Sequence, residues 1–158
     1  MLLTPHTIVG IAIATAVPNP YIAVPITFVS HFLGDLVPHW DYCSISNDGI
    51  TDKKYPIKVM ADLSLGIGIG LFFTFFFLWK MNNPGMALNV FLCGITSVVP
   101  DAITAPVIFD KNTKGLSNWM YKIQCKIHFP APLPWGLISQ IVVAGGCLLL
   151  ILNSRVLS

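Results

Sequence analysis

The chain has no glutamate and a single arginine, and only 10% of its 158 residues are charged. A soluble domain is normally about 25% charged. So few charges cannot cover a surface that faces water, which points to an integral membrane protein. Without glutamate, a general base must be aspartate, histidine or a metal-held water. No G-x-S-x-G and no Cys/His dyad offers a side-chain nucleophile, and there is no N-x-S/T site. A net charge of +2, with no basic patch interleaved with aromatics, excludes a nucleic-acid partner. Cys43, Cys93, Cys125 and Cys147 form no C-x-x-C pair. The two in apolar runs read as small buried hydrophobes.

What is present is hydrophobic: 54% of residues, with a mean hydropathy of +0.73. Five apolar segments run from about Thr7 to Val17, Tyr21 to Val37, Ile57 to Trp79, Met86 to Phe109 and Pro134 to Asn153. "VPNP" and "MNNPG" mark turns between them. The first segment carries an A-x-A in "IAIATAV", but no Lys or Arg precedes it, so it reads as a retained, membrane-embedded helix rather than a cleaved signal. The expectation is one all-α domain over 1–158, a polytopic bundle of about five transmembrane or embedded helices. If all five cross, one side holds Lys53, Lys54, Lys58, Lys111, Lys114, Lys122 and Lys126, and the other only Lys80 and Arg155. The positive-inside rule then puts the N-terminus in the cytoplasm and the C-terminus outside.

Against this apolar background, "SHFLGDLVPHWDY" places His31, Asp35, His39 and Asp41 within eleven residues. His31, Asp35 and His39 are spaced i, i+4, i+8, one face of a helix, and Pro38 ends regular helix so that His39 and Asp41 cap the array at the membrane edge. His6 in "TPHT", Asp62 in "VMADLSLG" and Asp101 in "SVVPDAIT" fall toward the same side. Ionisable groups in hydrocarbon face a partner or a cavity. Imidazole with carboxylate is a ligand set for zinc, or for manganese or iron. Aspartates can bridge two such ions and acidify a water for attack at neutral pH. Plainer roles stand beside this one. His31 and Asp35 could pair across helices, Asp62 and Asp101 could cap or pack helices, and His6 could be an ordinary interfacial residue.

"TPH" at residues 4–6, "HFLGDLVPHWD" at 31–41 and "VVPD" at 98–101 resemble the bacterial membrane-bound metal-dependent hydrolases, the YdjM-like inner-membrane proteins. More distantly, "HFLGD" followed by a Pro and a His is similar to the metal-binding helix of zinc-dependent phospholipase C. That resemblance implies zinc ligands at His31, Asp35 and His39, with His6 joining them, and hydrolysis of phosphate esters. The spacing after Asp35 is shorter here and no terminal Trp is present.

Together these readings give a metal-dependent hydrolase with two ions, zinc or alternatively manganese or iron. Its substrate is a phosphoester of a lipid or amphiphile at the cytoplasmic leaflet. The metal ligands expected are His6, His31, Asp35, His39, Asp41, Asp62 and Asp101, with catalytic roles for Asp35, Asp41 and Asp62. Lys111, Lys114 and His128 are weaker candidates for an anionic headgroup. A metal-ion transporter or channel, or a structural metal-binding membrane protein, is the alternative. Gly66 and Gly70 in "GIGIG" form a G-x-x-x-G spacing, read as close helix packing or self-association into a homo-oligomer.

Overall fold

Two Asn-Pro pairs start two of the helices. Asn19 accepts a hydrogen bond from the Tyr21 amide at 3.0 Å, and Pro20 opens helix α2, Pro20–Asp35. Asn83 accepts from the Met86 amide at 3.0 Å, and Pro84 opens α4, Pro84–Thr96. Asparagine satisfies an amide the helix leaves orphaned, and proline at the first position has no N–H to orphan. In this computed structural model the described residues are 1–41, 55–110 and 112–154. The remaining helices are α1 (Leu3–Ala16), α3 (Tyr55–Phe75, continued by a π-helical turn over Phe76–Lys80), α5 (Val99–Phe109), α6 (Leu116–Ile127) and α7 (Trp135–Leu152). No strand occurs among the described residues, so the all-α expectation holds.

Among the described residues, three stretches are long and apolar enough to cross a membrane: Ile57–Lys80, Pro84–Val107 and Trp135–Leu152. The expected bundle has about five transmembrane or embedded helices. Helix α1 has 14 residues and α2 has 16, about 21 and 24 Å at helical rise, short of a ~30 Å hydrocarbon core. The fourth apolar segment is broken at Ser97–Val98, where α4 gives way to α5. The Lys-rich stretch after it, read as a loop, contains α6.

Helix α1 is the shaft of the bundle: α2, α3, α4 and α7 all pack on it. The apolar core lies along it, with Ile8, Ile11, Ala12 and Ala14 against Phe77, Met86, Val90 and Ile151. Both ends of α1 are closed by side chains from other helices. Asp62 on α3 accepts from the Leu3 and Thr4 amides at 2.6 and 3.2 Å. Asn89 on α4 donates to the Ala14 and Val17 carbonyls, each at 2.9 Å. A helix end without water needs such partners. Gly66 and Gly70 on α3 face Thr7 of α1. The G-x-x-x-G spacing therefore packs α3 closely on α1 within the chain.

The outside is the inverse of the inside. Phe72, Val142 and Leu150 are 63, 66 and 67% exposed, while His6, His31, Asp35 and His39 are buried.

Candidate metal centre

One end of the bundle collects the N-terminus of α1, the C-terminus of α2, the α4–α5 junction, the C-terminus of α6 and the N-terminus of α7. Each helix brings a polar side chain to that layer. His6 comes from α1, His31 and Asp35 from α2, Asp101 from the first turn of α5, and His128 from the C-cap of α6. His39 lies past the end of α2, in a segment paired with the chain after α6. The His39 amide donates to the Phe129 carbonyl at 3.1 Å, and the Ala131 amide to the His39 carbonyl at 2.7 Å. A Cβ on Gly136 of α7 would collide with the Trp40 amide nitrogen and the Ala131 carbonyl. Only glycine lets this paired segment lie so close to α7.

Two triads of possible ligands result: His6, His31 and Asp101, and Asp35, His39 and His128. Within each, one donor atom per residue lies within 4.8 Å of the others. Asp35 also joins the two. Its Oδ1 is 3.2 Å from His6 Nε2 and its Oδ2 is 3.5 Å from His31 Nε2. On the other side of His31, Asp101 Oδ1 stands 3.4 Å from the same Nε2. The His6 and His31 rings stack with centroids 4.0 Å apart, and His39 meets His128 edge-on at 4.4 Å.

Backbone carbonyls fix the imidazole tautomers. His31 Nδ1 is 2.7 Å from the Ser97 carbonyl, and His39 Nδ1 is 2.8 Å from the Val37 carbonyl. A carbonyl only accepts, so each Nδ1 carries a proton and each Nε2 is the ring atom turned toward the other groups of the layer. This is the outer-shell pattern that holds a metal-binding histidine in its ligating form. Carboxylates gathered in a buried layer repel unless positive charge, an imidazolium or another cation, lies between them. The Met1 α-amino group sits 2.6 Å from Asp35 Oδ1 and 2.7 Å from His39 Nε2. Burial, reinforced by that amino charge, lowers the His39 imidazole to about 4. The same two causes lower His128. Both rings are therefore kept in the neutral form a metal requires. The residues present fit a cation of the nitrogen- and oxygen-binding class.

The placements differ from expectation in several ways. His39 lies past the end of α2, as Pro38 suggests, but joins a triad separate from that of His31. His128, read as a headgroup contact, completes that triad. Asp41 is half-buried on the same segment, outside either triad, although its charge is felt at His128. Asp62 is outside both triads as well, held by the α1 backbone and by the Thr4 hydroxyl at 2.6 Å. Lys114 is exposed, and Lys111 lies outside the described residues.

Two glutamines were not anticipated. Gln124 on α6 donates to Asp101 Oδ1 at 2.9 Å and lies 3.2 Å from His31 Nε2. Gln140 on α7 accepts from the Leu2 amide at 2.9 Å and donates to the Trp40 carbonyl at 2.7 Å. Each is a lone amide on an otherwise apolar helix stripe, the one signal that could have revealed them. No protein-family model matches the chain, nor does a curated protein or a solved structure.

Proposed function

We propose that this chain is a polytopic membrane protein whose buried His/Asp layer holds a pair of zinc-class ions and hydrolyses a phosphoester of a lipid. The observation that carries the reading is Asp35, whose two carboxylate oxygens face His6 and His31 while the residue also belongs to the His39/His128 triad. A carboxylate so placed suits two cations close together. Bound there, such ions would polarise a phosphoryl oxygen and lower the pKa of a water.

The chain's own residues have definable parts in this scheme. Asp35 balances the paired positive charges, and Asp101 is held in place by Gln124. Ser97 and Val37 hold the ligating tautomers of His31 and His39. Asp101, whose side chain is 31% exposed, and the half-buried His128 are the groups of the layer open to an approaching headgroup. The seven-to-two distribution of basic residues supports a cytoplasmic site. A transport path would need polar groups leading to the opposite face. The far half of α1 is instead packed among Ile11, Ala14, Phe77 and Val90, which favours hydrolysis over transport.

The test is metal content together with turnover. Purified protein carries about two transition-metal ions per chain, the number a bridging carboxylate suits. It cleaves a phospholipid or a water-soluble phosphodiester in a metal-dependent way. Asp35→Asn loses both metal and turnover while keeping its helical signal. Metal-dependent uptake into proteoliposomes without any hydrolysis would overturn the reading in favour of a transporter.

A further inference from the structure

Helices α3 and α7 both pack on α1, and among the described residues they do not pack on each other. The gap between them is a groove with α1 as its floor. At the polar end it is a cavity of about 410 Å³ with walls at Ala61 and Leu65 on α3 and Ile141 and Ala144 on α7. Beyond the shared Leu65 it continues as a second cavity of about 400 Å³, past Gly68 to Phe72 and Phe73 on α3 and Leu148 on α7. Gly68 is exposed, and a Cβ there would meet nothing within 4 Å.

From these features we infer that the groove seats one acyl chain of a phospholipid drawn from the leaflet on the metal-centre side. Its length is the first reason. From Ala61 to Phe73 the α3 wall rises about 18 Å, against roughly 15 Å for one leaflet's half of a ~30 Å core. Both walls belong to helices of membrane-crossing length, so the opening faces hydrocarbon. Charge is the second reason. The groove-lining stripe of α3 continues past Asp62 to Lys58, one turn nearer the polar end. A lysine there matches the phosphate of a lipid whose chain fills the groove. Position is the third. The groove ends at Leu2 and Gln140, and Met1, next in the chain, touches Asp35 and His39. Only the last point rests on the hydrolase reading: a headgroup at this end lies beside the proposed centre.

The probe is a phospholipid carrying a photoactivatable diazirine midway along one chain, mixed into phosphatidylcholine vesicles that hold the full chain. Wild-type protein is expected to be labelled preferentially at Leu65 and Ile141 over the outward Val142 and Phe75. Gly68→Phe is expected to reduce the groove labelling to the level of those outward residues. Ile141→Trp, a change at an exposed position, narrows the groove from the other wall and should leave Leu65 unlabelled. Uniform labelling of groove and outward residues in wild type, or Leu65 labelling that persists in both variants, would overturn the inference. Metal content and turnover of a water-soluble phosphodiester, read in parallel, report on the proposed chemistry alone. Loss of those with groove labelling intact would leave the groove standing without the hydrolase.

Discussion

Gly34 stands directly against His6. A Cβ at residue 34 would lie 3.1 Å from His6 Cε1 and equally close to the flexible Met1 Cε. Gly34→Ala should therefore push the His6 ring by a few tenths of an ångström. Alanine gains roughly 0.5–1 kcal/mol in a helix interior, which offsets the crowding, so thermal stability stays near wild type. Metal affinity is expected to fall by about tenfold, as when outer-shell support of a ligand is disturbed. Competition with a chromophoric chelator measures it, and unchanged affinity would remove His6 from the centre.

Gln124 separates a positioning role from a packing role. Gln124→Leu keeps an apolar body on α6 and removes the bond to Asp101. Metal affinity should drop about 10–100-fold with the helical signal intact. Gln124→Asn, too short to reach, should behave like leucine if reach matters. If only bulk in this position matters, leucine will be silent.

How much of this was legible in the sequence depends on the residue. Asp35 was readable because ionisable groups in an apolar run face a partner, and helical spacing put His31 beside it. His39 was legible as lying past the helix end, because Pro38 stops α2, but its pairing with residues 129–131 is a long-range contact no local pattern encodes. Asp62 was readable as a ligand or a cap, since an aspartate one turn into an apolar helix signals burial but not whether a metal or an amide is its partner. Helix α6 was hidden by its lysines, although Met120, Gln124 and Ile127 at i, i+4, i+7 trace its inward stripe.

Asn89 sits far from the metal layer and offers a control on the fold. Asn89→Leu leaves the Ala14 and Val17 carbonyls without these donors in a dry interior, at a cost of about 1–2 kcal/mol. Unfolding in detergent mixtures should show that loss while metal affinity is retained. A variant that loses metal as readily as stability would mean the two ends of α1 are not independent.

Orientation follows from the alternation of helix ends and the lysine asymmetry. A reporter fused after Ser158 is expected outside the cytoplasm, and one in the 42–54 segment within it. A cytoplasmic reporter at Ser158 would mean an even number of crossings, and the Lys-rich side would have to be reassigned.

The closure of α1 by Asp62 and Asn89 bears on how the protein is made. Ribosomes release α1 before the residues that finish it: its first amides wait for Asp62, its last carbonyls for Asn89, and the segment leading into it for Gln140. A helix of 14 residues, too short to span and open at both ends, cannot settle alone in a bilayer. Helix α1 is thus finished only once α4 has followed it, and His6 meets Asp101 only after α5 has been made.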